Sequence, residues 1–206
     1  MKEDKKDTAA EILRAARQLF YEKGYENAST REISARVGIS KAALYHHFRN
    51  KEEILFRICL QAADELVDNM RRAIARNVGS GKPLKEQLTD ILIEYLRTYM
   101  KNENFNKILF HDMEYLPEDK KRVILDKEKE NVHQLRAYLA SLMGDGAIRP
   151  VNPTVLTFSL ISSLHWLYFW YKPGGPLTLE DVAEHIADLF LHGLLPGKGE
   201  RQKVKG

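Results

Sequence analysis

The chain has 206 residues, 44% hydrophobic and 30% charged, an ordinary composition for a soluble globular protein with a sizeable core. Cys59 is its only cysteine, which excludes an intramolecular disulfide and a cysteine-based zinc site. The net charge of +3 is unevenly spread: residues 1–51 carry 11 Lys+Arg against 7 Asp+Glu, a balance of +4, so the rest sums to −1, and a basic end on a neutral body points to a polyanionic partner.

The opening, MKEDKKDTAAEIL, has no apolar signal-peptide core, so a cytoplasmic protein is expected. Helical periodicity recurs along the chain and no period-2 strand pattern is evident. Thr8 and Glu11 read as a capping box that starts the first helix, with Ile12, Ala15, Ala16, Leu19 and Phe20 as its apolar stripe and Gly24 as its stop. Ser29 with Glu32 starts a short second helix closed by Gly38. Ser40 caps a third that runs to about His47. Asn50 caps a fourth that continues to about Asn77, with Ile54, Leu55, Ile58, Cys59, Ala62, Leu66 and Met70 inward.

GSGKP at 79–83 is a breaker. A fifth helix, Leu84 to about Met100, turns Leu88, Ile91, Leu92, Tyr95, Leu96 and Tyr99 inward. A short helix is expected around Phe105–Glu114. A long charged one then starts near Pro117 and ends at the Gly144–Gly146 turn. Asn152-Pro153 opens a helix without formal charge that KPGGP at 172–176 stops. Thr178 caps a last one, with Leu179, Val182, Ile186, Leu189 and Phe190 on one side. The uncharged stretch Pro150–Tyr171 is long enough to span a bilayer. Its Asn, Thr, Ser and His residues favour a helix buried on most faces of a soluble protein instead.

The stretch GISKAALYHHFRNKEE buries only Leu44 and Phe48 and shows much hydrogen-bonding surface. Two short helices joined at Gly38-Ile39 make a helix-turn-helix candidate, whose second helix enters the DNA major groove. Ala42 and Ala43 allow close approach. Tyr45 can donate to a phosphate, and Lys51 adds an ammonium at a helix N-terminus. Thr30 and Arg31 sit where the second helix starts, and Arg31 can reach a guanine edge.

The block TAAEILRAARQLFYEKGYENASTREISARVGISKAALYHHFRNKEEIL resembles the N-terminal domain of TetR/AcrR transcriptional regulators. The resemblance implies a dimeric, mostly repressing regulator. Thr30, Tyr45 and Lys51 match positions that touch phosphates. Arg31, Lys41, Ala43 and His46 match positions that face bases, Ala43 offering only a methyl contact, and His47 matches a position that touches either. Ser40, the cap of the reading helix, joins this DNA-facing set. The run HWLYFWYKPGG, with HDMEYLPEDKKRVI, resembles a subgroup tied to fatty-acid and sterol degradation, whose regulators respond to acyl-coenzyme A thioesters, although His165 stands where that pattern more often has Asn. On that resemblance, Tyr95, Tyr99, Phe110, Met113, His165, Trp166, Phe169 and Trp170 are the effector-pocket candidates.

Metal or catalytic chemistry finds little support. His111, Asp112 and Glu114 do not converge on one ion. His185 and His192, a heptad apart, suit packing as well as ligation, and no zincin, nucleophile-elbow or phosphate-loop motif occurs. The expected protein is all-α, of about nine helices: a helix-turn-helix domain over 1–52, a helical ligand-binding and dimerisation domain over 53–196, and a tail over 197–206. It is not an enzyme and needs no cofactor or metal. Its partners are a palindromic DNA operator, a second copy bound through the last two helices, and a small hydrophobic effector such as an acyl-CoA, with no membrane. The alternatives are a helical small-molecule carrier or enzyme without DNA binding, and a DNA-binding protein that answers to no ligand.

Overall fold

Local capping chemistry sets most of the helix boundaries. The computed structural model describes residues 2–100 and 112–192. Its helices are α1 (Lys2–Lys23), α2 (Thr30–Val37), α3 (Lys41–His47), α4 (Lys51–Asn77), α5 (Leu84–Met100), α6 (Glu118–Gly144), α7 (Pro153–His165), α8 (Leu167–Trp170) and α9 (Leu179–His192), with a 3₁₀ turn at Asp112–Tyr115. No strand occurs among the described residues. Most of the expected short helix around 105–114 lies outside them.

The Ser29 side chain accepts from the Glu32 N–H while the Glu32 carboxylate accepts from the Ser29 N–H, a complete capping box. Gly38 ends α2 in the left-handed region, at φ 77°. Asn50 starts α4 by accepting from the Glu53 N–H at 2.7 Å, and Glu53 returns the bond to the Arg49 N–H at 2.7 Å. At the start of α9 the pair is reciprocal: the Thr178 N–H donates to the Asp181 carboxylate and the Asp181 N–H to Thr178 Oγ1.

Two boundaries differ from the sequence reading. α1 begins at Lys2, not Thr8, because the Lys- and Glu-containing segment ahead of Thr8 has good helix propensity. The Thr8–Glu11 pair therefore lies inside a helix. The uncharged helix does not run unbroken to residue 171: α7 stops at His165 and α8 restarts at Leu167. Ser163 donates its hydroxyl to the Ser159 carbonyl within this last turn, a back-bond that bends helices.

Contacts divide the chain into two units, 1–69 with 98–131 and 70–97 with 132–206. In the first, Ile12, Ala16, Leu19 and Phe20 of α1 share one core with Ile33, Leu44, Phe48, Ile54, Leu55, Ile58 and Cys59, joined by Leu116 and Ile124. Burial pushes the Cys59 thiol up to about 12, which leaves it a packing group. Asn69 donates to Thr98 Oγ1 at 2.7 Å, and ion pairs join Lys120 to Glu52 and Lys127 to Asp64.

In the second unit Leu88, Ile91, Leu92, Tyr95 and Leu96 of α5 are buried, as are Leu135, Tyr138 and Leu139 of α6 and Leu160, Ile161 and Leu164 of α7. Val182, Ala183 and Ala187 form the buried face of α9, which packs on α7. Leu189, on the expected apolar side of this helix, is exposed. Ion pairs from Lys85 to Glu184 and Asp188, and from Arg97 to Glu180, tie α5 to α9. Among the described residues no helix is long and apolar enough to cross a membrane.

Candidate nucleic-acid interface

The fully buried Leu44 and the nearly buried Phe48 hold α3 against its core, so the other side chains of this short helix are turned away from it. Lys41, Tyr45 and His46 are exposed, while Ala43 and His47 are half-buried beside them. Ser40 Oγ accepts from the Ala43 N–H at 3.1 Å, so its hydroxyl fixes the start of the helix. The Lys41 ammonium lies 5.6 Å from the Tyr45 ring centroid, and the His46 and His47 rings meet edge to face.

α2 and α3 are joined at this surface by one polar contact. Thr30 Oγ1 and Tyr45 Oη lie 3.2 Å apart, which sets the first residue of α2 beside the middle of α3. Arg31 is the exposed neighbour of Thr30, and no hydrogen bond or ion pair engages its side chain among the described residues. Behind it, Glu32 accepts from Lys23 and from Ser29, which together hold its carboxyl down to about 2. Arg36 pairs with Glu22. The cations on the far side of α2 are thus neutralised within the fold, while Arg31 and Lys41 are left with their charge outward.

Lys51 stands at the start of α4, as expected, and its side chain turns to the fold. Its ammonium donates to the carbonyls of Tyr25 at 2.8 Å, Glu26 at 3.2 Å and Ala28 at 2.9 Å, and lies 4.2 Å from the Tyr25 ring centroid. An ammonium has three N–H donors, and all three are used here. Burial lowers its pKa, against the pull of Glu26 and Asp112. The side chain closes the turn between α1 and α2 from inside rather than pointing at solvent. The Asp112 carboxylate accepts from the Tyr25 N–H at 3.4 Å, and Tyr25 also packs on Phe20 and Tyr115.

The effector candidates are scattered. Tyr95 on α5 and His165 at the end of α7 are brought together: Tyr95 Oη hydrogen-bonds His165 Nε2, and the two rings stack with centroids 5.9 Å apart. Burial holds the His165 imidazole down to about 4, so it is neutral at pH 7. Tyr99 is buried and Met113 half-buried in the first unit, and Phe110 lies outside the described residues. Trp166, Phe169 and Trp170 are 64%, 66% and 48% exposed. The apolar cavity of the second unit, about 460 Å³, is lined by other residues, among them Leu88, Leu139, Leu156 and Leu160.

A family model described as "Bacterial regulatory proteins, tetR family" matches residues 12–58, and one described as "Tetracyclin repressor-like, C-terminal domain" matches residues 81–194. The chain belongs to the TetR family of transcriptional regulators. This TetR-family chain is 26% identical over 199 residues to the HTH-type transcriptional repressor KstR2 of Mycolicibacterium smegmatis, covering 93% of this chain and 92% of that one. Among solved structures, the TetR-family regulator PfmR of Thermus thermophilus superposes with a TM-score of 0.79 at 34% identity, over 90% of this chain and 99% of PfmR. AibR in complex with isovaleryl coenzyme A and operator DNA superposes with a TM-score of 0.71 at 29% identity, over 89% of this chain and 98% of AibR. The matched relatives are regulators rather than enzymes.

Sequence reasoning located the helices that carry the expected DNA-facing residues because their caps, stripes and spacing are local. It missed the use made of Lys51, whose acceptors are backbone carbonyls 23 to 26 residues upstream. A carbonyl carries no side-chain signature, so only the tight turn around Gly24, at φ 79°, hinted at inward-facing acceptors.

Proposed function

We propose that this chain is a homodimeric repressor that binds a palindromic operator and leaves it when a small hydrophobic effector, an acyl-CoA, binds the C-terminal part. The observation that carries the reading is the outward polar face of α3, backed by Leu44 and Phe48 and aligned with α2 through Thr30 and Tyr45. In the major groove, Arg31, Lys41 and His46 meet base edges, Ala43 approaches a thymine methyl, Thr30 and Tyr45 meet phosphates, and His47 meets either. Ser40 shapes the helix start. Lys51 serves DNA through the turn it holds, since its ammonium is committed to carbonyls.

Dimerisation through α7 and α9 is supported by the apolar side chains they leave exposed, Val155 at 63%, Phe158 at 52% and Leu189 at 48%. Two reading helices must lie about 34 Å apart to enter successive major grooves. Support for the effector class comes from the similarity to AibR, whose complex holds isovaleryl coenzyme A. An effector releases DNA only by binding more tightly to the state whose reading helices are out of register.

A gel shift with the DNA upstream of the protein's own gene, with and without acyl-CoA, tests this. The expected result is a shift that acyl-CoA reverses. A chain that retains acyl-CoA but never retards a palindrome is a carrier. A shift that no acyl-CoA reverses leaves a DNA-binding protein without this effector.

A further inference from the structure

We propose that a recess between α4 and the first turn of α6 binds a phosphate group through the guanidinium groups of Arg49 and Arg57. The recess lies within the first unit and holds about 240 Å³. That is below the roughly 300–1,000 Å³ of sites for organic effectors, and it suits a phosphate or diphosphate. Its lining is Arg49, Asn50, Glu53, Phe56, Arg57 and Lys120, three cations against one carboxylate. Lys120 is already matched: its ammonium donates to Glu52 at 2.6 Å and lies 5.5 Å from the Phe56 ring centroid. Glu53 is engaged as well, accepting from the Arg49 N–H at 2.7 Å.

Arg49 and Arg57 are both exposed, and no hydrogen bond or ion pair engages either side chain among the described residues. Other cations of this unit face carboxylates, as Lys23 does with Glu32, Arg36 with Glu22 and Lys127 with Asp64. Two guanidinium groups that line one small recess repel each other, and an anion between them turns that repulsion into attraction. Each presents a planar fork that matches phosphate oxygens bidentately. Phe56, half-buried against the core, and the Asn50–Glu53 cap fix the frame around them. Arg49 follows closely on His47, where α3 ends, while the neighbouring Lys51 spends its ammonium on carbonyls. A backbone phosphate of bound DNA and a free polyphosphate share this chemistry. The DNA source rests on the operator reading, and the free anion does not.

Two experiments on the full chain test the site. Calorimetric titration with pyrophosphate, without DNA, reads the free anion. Binding curves against salt, on the DNA upstream of the protein's own gene and on a random duplex of equal length, read the backbone phosphate. If DNA supplies the phosphate, Arg49→Ala and Arg57→Ala should each shrink the salt slope by about 0.9 log units per log unit of salt. Both should weaken the two duplexes alike, since a phosphate carries no sequence. Arg149→Ala, exposed in the other unit, should leave the slope as in the parent. If a free anion is the ligand, pyrophosphate should bind once per chain, and either substitution should weaken it at least about ten-fold. Both positions are exposed, so melts of parent and variants should coincide. Either pattern supports the site and names the source of the phosphate. The site is overturned if neither experiment separates both variants from the parent. A chain that retards no DNA fails the operator reading instead, and the pyrophosphate titration alone then decides the site.

Discussion

The ammonium of Lys51 lies 4.2 Å from the centroid of the Tyr25 ring and donates to the Tyr25 carbonyl at 2.8 Å. With the Glu26 and Ala28 carbonyls as its other acceptors, it ties the first residue of α4 to the turn that leads into α2. Lys51→Met keeps the aliphatic stem and removes every donor. It should lower stability by about 1–3 kcal/mol, the scale for hydrogen bonds made by a charged group, as read from denaturant midpoints. Operator affinity should fall while its slope against salt stays the same, because no phosphate contact is lost. Arg31→Ala gives the contrast: stability near that of the parent and relaxed preference at one base position. A slope that drops by about 0.9 log units per log unit of salt in Lys51→Met would place the ammonium on a phosphate after all.

Gly38 sets the angle between α2 and α3 by ending α2 at φ 77°, where its N–H reaches the Ala35 and Ser34 carbonyls. A Cβ added there meets no atom within 4 Å, so replacement strains only the backbone. Gly38→Ala should therefore cost about 1 kcal/mol, and Gly38→Asn less, since Asn tolerates this conformation. Thermal melts of the two variants give the order. Equal losses from Ala and Asn would mean that the left-handed geometry is not what Gly38 contributes.

Beyond the start of α1, the helix boundaries of the first 55 residues were legible in the sequence because each is set by residues within a turn of it. Ser29 with Glu32, Gly38, Ser40, and Asn50 with Glu53 all act where their spacing places them. Legibility faded with length. On α4 the expected Ala62 and Leu66 are half-buried while their neighbours Ala63 and Val67 are buried, as the apolar stripe drifts around a long helix. The aromatic run at 166–171 suits core, interface or cavity wall equally by composition, and Trp166, Phe169 and Trp170 are exposed in the single chain. Burial there depends on tertiary packing that no periodicity records. The cavity near Leu156 and Leu160 is likewise the gap left between helices, and no motif announces it.

Tyr95 and His165 predict a pH dependence of stability. The imidazole has an ordinary pKa of 6.5 and is held at about 4 by burial in the fold. The unfolded chain therefore binds more protons than the folded one between these values. The stability tied to the neutral imidazole is fully present above about pH 6.5, shrinks as pH falls, and is gone below about pH 4. Its size is on the order of 3 kcal/mol. His165→Asn retains a hydrogen-bonding partner for the Tyr95 hydroxyl and cannot titrate, so its denaturant midpoint should fall less between pH 7.5 and 4.5 than that of the parent. Parallel decline in the two proteins would remove His165 as the cause.

Phe158 tests the proposed pairing of two chains. It is 52% exposed on α7, one turn beyond Val155 at 63%, so both lie on one stripe of the helix. Phe158→Glu removes apolar area from that stripe and places a charge where a second copy would bury it. As the residue is exposed in the single chain, the substitution should leave the far-ultraviolet signal and the fold of one subunit intact. The mass in sedimentation equilibrium should drop from two chains to one. Operator affinity should fall by at least about 10³-fold, toward the non-specific level, since one α3 reads only half of a palindrome. The two losses are linked: a variant that stays dimeric and binds operator like the parent would move the interface off α7, whereas a monomer that keeps full operator affinity would break the twofold geometry itself.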